Sequence, residues 1–159
     1  MENQSTIRNY TISDKEAVLN LLKLNTPAHF SAEEEKDLNY YLDHEIEQYF
    51  VLELNQHIVG CGGINFSEDN STGIISWDII HPEFQGQSLG SKLLKYRIGK
   101  LQQLETVHQI IVRTSQLSYK FYEKLGFRLL EVMNDYWAKG FHLYKMKYVD
   151  STELSCTSE

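Results

Sequence analysis

The sequence contains little cysteine and no pair of histidines at metal-binding spacing. Cys61 and Cys156 are the only cysteines among the 159 residues, which argues against a fold held together by disulfides. Cys61 lies in an apolar segment, where a small buried side chain is a simpler interpretation than a nucleophile. The six histidines include no His-x-His or His-x-x-x-His pair, so the sequence predicts no metal site.

Long apolar runs are also absent. The longest ones, such as residues 79–80 and 110–112, fall far short of the roughly 20 residues that cross a bilayer. The sequence therefore predicts no membrane association. The first residues, MENQSTIRNYT, have neither the basic start nor the apolar stretch of a signal peptide, which predicts a cytoplasmic protein.

Positive charge is scarce. Lys and Arg together number 15 against 22 Asp and Glu, which gives a formal net charge of −7. Proteins that bind nucleic acids need a basic face to neutralise phosphates, so this composition argues against a nucleic-acid partner. Any phosphate group bound by this chain must be held mainly by backbone N–H groups.

The length and the apolar content fit one domain. A hydrophobic fraction of 42% in 159 residues is enough to fill a single core. We predict one domain over residues 1–149. Residues 150–159, which read DSTELSCTSE, lack periodic apolar positions and are predicted to be a flexible C-terminal tail.

The apolar periodicity predicts an α/β fold. A capped helix is expected after Ser13, and a second after Ser31, where Glu34 completes a capping-box pattern. A polar turn at residues 55–56 predicts a hairpin, and Pro82 ends the fourth strand. Strands are predicted at 7–10, 49–54, 58–66, 74–80, 109–112, 127–133 and 141–149, and further helices at 89–104 and 117–125. This order indicates a mixed sheet of six or seven strands with helices on both faces.

The segment IIHPEFQGQSLGSKLL, between the fourth strand and the long helix, can bind an anion. Gly86, Ser88, Gly90 and Ser91 crowd a turn directly before a helix start, where unpaired N–H groups and the helix dipole favour negative charge. The alternative is a tight turn whose small residues only permit close packing. The segment fits neither a Walker A loop nor the dinucleotide-binding glycine pattern.

A second segment, TSQLSYKFYEKLGF, carries two tyrosines on a short predicted helix. Tyr119 and Tyr122 lie on this helix, and Gly126 suits the left-handed residue that ends it. An aromatic stripe that only packs into the core is the alternative interpretation.

Together and in this order, the two segments resemble the conserved cores of the GNAT superfamily of N-acetyltransferases. Gln85 begins and Gly90 ends a run similar to the pyrophosphate loop of that family, FYEKLGF at 121–127 is similar to its second signature, and IIHPEF at 79–84 resembles the strand before the loop. The element order matches over residues 7–149. The resemblance implies a mostly antiparallel sheet in which the fourth and fifth strands splay apart to hold acetyl-CoA, the cosubstrate.

The resemblance also assigns cofactor-binding residues. The pyrophosphate is expected on the N–H groups of residues 87–91, and the pantetheine arm beside the backbone of residues 79–81. Two residues depart from the family pattern: Ser88 replaces a glycine, and Ser115 replaces a frequent asparagine. The assigned set is Ile79, Ile80, His81, Gln85, Gly86, Gln87, Ser88, Leu89, Gly90, Ser91, Ser115, Tyr119 and Tyr122.

The mechanism that the resemblance implies is a direct attack of a neutral amine on the thioester. The Ile80 N–H is expected to polarise the thioester carbonyl, and Tyr122 takes the position of the general acid. Asp78, an acid in an otherwise apolar strand, is the candidate general base. Two alternatives stay open: Tyr122 as a packing residue that bonds a carbonyl, and Asp78 as the partner of a neighbouring side chain. His81 and Glu83 are weaker candidates for the base.

The resemblance implies a primary amine as the acceptor, which can belong to a small molecule, a peptide or a protein. Carboxylates of the second helix can attract a cationic amine or can form an ordinary solvated face. Tyr136 and Trp137 can line an acceptor pocket or pack within a hairpin. The protein is expected to be a monomer or a homodimer. A non-catalytic acyl-CoA sensor or partner-binding domain is the alternative function.

Overall fold

A computed structural model describes residues 4–149 of the chain. Its centre is one seven-stranded sheet with the strand order β1-β2-β3-β4-β5-β7-β6, in which only β4 and β5 run parallel. The strands are β1 (Ser5–Asn9), β2 (Gln48–Leu54), β3 (His57–Phe66), β4 (Thr72–Ile80), β5 (Gln109–Thr114), β6 (Phe127–Ala138) and β7 (Phe141–Tyr148). The predicted mixed, mostly antiparallel sheet is confirmed. The predicted tail at 150–159 lies outside the described residues.

Helices cover both faces of the sheet, as predicted. They are α1 (Lys15–Leu24), α2 (Glu34–His44), α3 (Leu89–Gln102) and α4 (Tyr119–Lys124), with short 3₁₀ turns at Ile12–Asp14 and Pro82–Phe84. The alternation of β2 shows the two layers. Phe50 packs on the α3 side, whereas its neighbours Tyr49 and Val51 pack on the side of α1 and α2. In the described part of the chain, no helix is long and apolar enough to span a membrane.

The helix starts differ from the prediction. Ser13 does not cap α1, because it lies inside the 3₁₀ turn, and Asp14 accepts a hydrogen bond from Thr11 N at 2.8 Å instead. Before α2, Glu34 Oε2 accepts from Ser31 N at 2.8 Å, which is half of the predicted capping box. The helix itself begins at Glu34, since residues 31–33 form a turn closed by the bond from Glu34 N to Ser31 O.

The strand ends depend on pairing partners that local sequence does not reveal. β6 runs to Ala138 rather than to 133, because its pairing with β7 continues to Ala138 opposite Phe141. The predicted hairpin between β2 and β3 is confirmed, and Asn55 and Gln56 both have positive φ, of 52° and 67°. Two such residues in succession form the turn that matches the twist of an antiparallel hairpin.

The fourth and fifth strands splay apart, as predicted. The parallel pairing of β4 with β5 ends at Ile75 opposite Val112, although β4 continues to Ile80. Trp77, with a φ of 49°, interrupts the regular strand just beyond the last pair. The β5-facing edge of β4 is therefore unpaired from residue 76 onward, and α3 starts beside its end.

Candidate active site

The turn before α3, which we call the amide loop (residues 85–91), leaves its backbone donors free. Gly86 and Ser88 have φ values of 81° and 65°, and α3 begins directly after Ser88. Within residues 4–149, no hydrogen-bond acceptor takes the N–H groups of residues 87–91. Unpaired donors at a helix start can bind an anion, so the predicted phosphate-binding role of this loop is compatible with its geometry.

The two glycines of the amide loop serve different purposes. A Cβ at Gly86 would meet nothing within 4 Å, so this glycine supplies the left-handed backbone. A Cβ at Gly90 would lie 3.2 Å from Phe121 Cζ and 3.5 Å from Ile80 Cγ1. Gly90 therefore permits close packing of α3 against α4 and β4, in agreement with the alternative interpretation of this residue. At Gly90 the structure thus supports the packing interpretation, while anion binding by the rest of the segment stays a prediction.

The end of β4 turns one backbone amide toward the gap. His81 N donates to Val59 O at 2.8 Å on the β3 side. In an antiparallel pair the bonded residues alternate, so the groups of Ile80, which is opposite Gly60, face the other edge. The Ile80 carbonyl accepts from Asn25 Nδ2 and Gln85 Nε2, each at 3.1 Å.

Asn25 was missed by the sequence analysis. It is buried, and its Oδ1 accepts from Gln85 Nε2 at 3.0 Å while its Nδ2 also donates to Leu21 O at 2.8 Å. The side chain thus joins the end of α1 to the end of β4 and to the amide loop. Gln85 is itself exposed, but its side chain donates to both Asn25 and Ile80. The position of Asn25 directly after the last helical residue, ahead of Pro27, was the available signal.

A buried group that we call the charge cluster (Asp78, Arg97 and Tyr122) lies beside the gap. Tyr122 Oη donates to Asp78 Oδ2 at 2.5 Å, and Arg97 Nη2 forms an ion pair with Asp78 Oδ1. Arg97 Nη1 also donates to Gly63 O at 3.0 Å. The structure brings together the two predicted catalytic residues.

Arg97 was not predicted, although the sequence carried a signal for it. Its side chain is 1% exposed, and it lies on the apolar face of α3 with Leu93 and Leu101. An arginine at a core position of an amphipathic helix requires a buried partner. Gly62 makes room for it, since a Cβ there would lie 2.7 Å from Arg97 Nη1.

The environment keeps the Tyr122 phenol protonated. Burial raises the pKa of Tyr122 well above its usual value, and the neighbouring Asp78 carboxylate raises it further, while Arg97 opposes this in part. Cys61 behaves as predicted, because burial raises the pKa of its thiol to about 12 and thereby disfavours the nucleophilic thiolate.

A cavity of about 660 Å³ opens between β4 and β5. Asp78 and Tyr122 line it, together with Ser115 and the predicted acceptor residue Trp137, whereas Tyr136 stacks under Arg113 outside the lining. Among the carboxylates of α2 and its flanking residues, Glu34, Glu45 and Glu47 face this cavity. Burial raises the pKa of Glu34.

The remaining predicted residues lie around this gap in different roles. Ser115 is buried and closes the turn before α4, since its Oγ accepts from Leu117 N at 3.2 Å. The Tyr119 ring lies 4.7 Å from that of Tyr144 and does not line the cavity. Ile79 is buried in the core on the α1 side, and Leu89 packs on Leu52 and its neighbours.

Within residues 4–149, no group of three or more His, Cys, Asp or Glu side chains is placed to hold a metal ion.

The chain belongs to the acetyltransferase (GNAT) family, whose sequence profile matches residues 16–127. It is 29% identical over 132 residues to an amino-acid acetyltransferase of Pasteurella multocida, a match that covers 83% of this chain and 29% of that protein. A second amino-acid acetyltransferase, from Shewanella oneidensis, is 27% identical over 99 residues, or 62% of this chain and 22% of that one. The chain thus spans less than a third of the length of these curated relatives.

Solved structures show the same fold. The loading GNATL domain of CurA from Lyngbya majuscula superimposes with a TM-score of 0.78 at 16% identity, over 92% of this chain and 98% of that one. The ribosomal-protein-S18-alanine N-acetyltransferase from Escherichia coli gives a TM-score of 0.74 at 19% identity, and the match covers 91% of this chain and 93% of that protein. The family resemblance predicted from the sequence is confirmed.

Proposed function

We propose that this chain is an N-acetyltransferase that moves an acetyl group from acetyl-CoA to a primary amine by direct attack. The observation that carries the proposal is the run of five unpaired N–H groups at residues 87–91, beside the unpaired edge of β4. A diphosphate fits such donors without a cluster of cationic side chains. This chain has few such cations to offer, with 15 Lys and Arg against 22 Asp and Glu.

The residues present fit acetyl-CoA along the whole gap. The amide loop would hold the pyrophosphate, and the β5-facing edge of β4 around Ile80, which pairs with no other strand, would run beside the pantetheine arm. The Ile80 N–H, which points away from β3, is available to the thioester carbonyl. A donor preorganised for a developing oxyanion contributes about 3–4 kcal/mol to such reactions. Acetyl-CoA supplies the activated acetyl group and a thiolate leaving group.

The charge cluster supplies the proton chemistry. Tyr122 is a protonated phenol that donates to the departing thiolate, and Asp78 accepts the proton that the amine loses. Both side chains line the cavity, which gives the acceptor a place on the far side of the gap from the amide loop. Glu45 and Glu47 at the cavity wall suit a cationic or polar acceptor.

Similar proteins suggest which amines to test as acceptors. Proteins of similar sequence are named as amino-acid acetyltransferases, and structural neighbours include enzymes named for the alanine of ribosomal protein S18, for spermidine and for an aminoglycoside. We therefore propose a panel with all four acceptor types. The cytoplasmic location and the monomeric or homodimeric state stay predictions, which cell fractionation and analytical ultracentrifugation test.

Calorimetry with acetyl-CoA and a thiol-release assay against this panel test the proposal. We expect acetyl-CoA to bind and at least one amine to release CoA thiol. Binding without thiol release for any amine would favour the non-catalytic acyl-CoA sensor. Absence of binding at millimolar acetyl-CoA would remove both functions.

A charge added at the amide loop sharpens the test. Ser91→Glu places a carboxylate in the first turn of α3, where the helix dipole stabilises it but where it repels a diphosphate. We expect acetyl-CoA affinity to fall about tenfold, or about 1.4 kcal/mol, without a loss of folding stability. Gln103→Glu, which adds the same charge at the other end of α3, is the matched control. Equal affinities of the two variants would contradict a diphosphate at this loop.

A further inference from the structure

The charge cluster connects the cavity to a sealed interior. Asp78 is 15% exposed and lines the cavity, whereas Arg97 behind it is 1% exposed. Arg97 is fixed from three directions, because Nε donates to Leu93 O at 3.3 Å, Nη1 donates to Gly63 O, and Nη2 pairs with Asp78. The carboxylate is therefore held in one orientation from its buried side.

The two oxygens of Asp78 have separate partners. Oδ1 faces the guanidinium of Arg97, and Oδ2 accepts the Tyr122 hydroxyl at 2.5 Å. Each carboxylate oxygen has two lone pairs, so Oδ2 retains one that can accept a proton from the cavity. The candidate base and the candidate acid are thus in direct contact, with no room for water between them.

Arg97 is the positively charged side chain that interacts with Asp78 at its contact with Tyr122. The titratable side chains that interact with Asp78 are Arg97 from α3, Tyr122 from α4, Cys61 from β3 and Tyr49 from β2. Burial raises the pKa of the Cys61 thiol and of the Tyr49 phenol, so both are neutral. Arg97 alone balances a negative charge here among the described residues.

We infer that Asp78 and Tyr122 form one continuous proton relay from the acceptor amine to the leaving sulfur, with Arg97 as the residue that positions the carboxylate between them. This inference rests on the proposed acetyl transfer. It differs from an independent base and an independent acid, each of which would exchange its proton with water. Here the proton that leaves the amine is the one that replenishes the acid.

The atoms and charges of the relay balance. The amine nitrogen bonds to the acetyl carbon, the carbon–sulfur bond breaks, and its electron pair goes to sulfur. Asp78 Oδ2 takes the proton from nitrogen, Tyr122 gives its phenolic proton to sulfur, and Asp78 passes its proton to the Tyr122 oxygen. The products are the N-acetylated amine and the CoA thiol, with Asp78 again ionised and Tyr122 again neutral. If Tyr122 gives up its proton in concert with proton uptake by Asp78, the cluster keeps one negative charge opposite Arg97 throughout.

A double-mutant cycle on turnover tests the relay. We expect Asp78→Asn and Tyr122→Phe each to lower kcat about 100-fold or more. In a relay either change interrupts the whole path, so the double variant should lie within about twofold of the worse single variant. A double variant whose loss is the product of the two single losses would overturn the relay while leaving acetyl transfer intact. A wild type without thiol release would instead refute the proposed function and the relay with it.

The positioning role of Arg97 has its own readouts. We expect Arg97→Lys to keep more turnover than Arg97→Met, with an unchanged KM for acetyl-CoA, because the lysine retains the charge. Equal turnover of the two variants would contradict the role. Lys95→Met, an exposed change on the same helix, is the control.

A measurement on the ligand-free protein completes the test and does not depend on activity. NMR spectra of protein labelled with ¹³C at tyrosine Cζ show one resonance per tyrosine, and the resonance that disappears in Tyr122→Phe is that of Tyr122. We expect it to shift in Asp78→Asn and in Arg97→Lys but to stay in place in Lys95→Met. An unmoved resonance in Asp78→Asn would overturn the contact on which the relay depends.

Discussion

The amide loop and the charge cluster hold charge in opposite ways. The amide loop uses backbone N–H groups at the surface end of α3 and no cationic side chain, whereas the charge cluster buries a whole guanidinium one to two turns further along the same helix. The first arrangement needs only a particular backbone conformation. The second needs side chains from β4, α3 and α4 to meet, with Gly62 and Gly63 beneath them.

The two regions therefore lower folding stability for different reasons. The cost of the amide loop is local strain, of about 1–2 kcal/mol for a non-glycine residue such as Ser88 in the left-handed region. The cost of the charge cluster is the desolvation of two ions, which their attraction has to offset. Changes to the cluster should consequently affect stability strongly, and changes to the loop should affect it little.

The largest expected effect is that of Arg97→Met on folding stability. The change leaves Asp78 mostly buried without its cation, and removal of one partner from a buried ion pair typically costs about 3–5 kcal/mol. Chemical denaturation measures this difference, with Lys95→Met as the control. If Arg97→Met loses as little folding stability as the control, the Asp78–Arg97 ion pair does not contribute to stability as a buried pair should.

A double variant of the same charge cluster tests whether the cost comes from the unpaired charge. The double variant Asp78→Asn/Arg97→Met removes both charges at once, so no ion is left without a partner. We expect it to recover at least half of the stability lost in Arg97→Met. If the double variant is less stable than both single variants, the stability lost in Arg97→Met comes from lost packing and not from the unpaired charge.

The second largest effect concerns Tyr122→Phe. We expect kcat to fall about 100-fold, about 2.7 kcal/mol, while acetyl-CoA affinity changes less than twofold, because the amide loop is untouched. Since burial raises the Tyr122 pKa well above 10, the wild-type acid should stay protonated across the neutral and mildly alkaline range. A pH–rate profile of the wild type with a loss of activity near pH 9 that disappears in the phenylalanine variant would contradict this assignment.

A smaller effect is expected at the amide loop. Ser88→Gly removes the strain of a left-handed serine with φ 65°, but glycine gains freedom in the unfolded chain. The net result should be a stabilisation of up to about 1 kcal/mol. Ser91→Gly, at a regular helical position of α3, should destabilise instead. Thermal denaturation of both variants tests the contrast, and an equal loss in both would argue against strain at Ser88.

The amide loop could be predicted from sequence, and most of the charge cluster could not. The glycines and serines of the loop act within seven residues, so their spacing alone indicates a turn ahead of a helix. The cluster joins residues 78, 97 and 122, and periodicity shows which side chains face the core but not which of them meet. Tyr122 was found through the family resemblance and Asp78 as an acid in an otherwise apolar strand, whereas Arg97 lay in an apolar stripe and was missed.

The same limit explains the errors in the fold. The order of strands and helices followed from local patterns, and the hairpin at Asn55–Gln56 was predictable because two residues determine it. Asn25 contacts Ile80 and Gln85, which are 55 and 60 residues away along the chain. The cap of the first helix was misassigned to Ser13 because Asp14 competes for the same turn and has Arg8 as a partner.

That partner provides the smallest predicted effect and a partly exposed counterpart to the buried pair. Arg8 is 39% exposed and donates two hydrogen bonds to Asp14, at 2.8 and 2.9 Å. These bonds lower the Asp14 pKa, so the folded state binds its proton less readily than the unfolded chain does. The pair therefore stabilises the fold above the unfolded pKa of about 3.9, and this contribution is lost as the pH falls through the lower folded pKa.

Asp14→Asn should cost about 1 kcal/mol near neutral pH, because solvent around the 39% exposed Arg8 weakens the pair although the Asp14 side chain is only 8% exposed. The difference from the wild type should shrink on acidification, because the wild-type carboxylate then loses its charge as well. Urea denaturation at neutral pH and at a pH below the folded pKa of Asp14 measures both values. A difference that stays constant with pH would contradict a contribution of the Asp14 charge to folding stability.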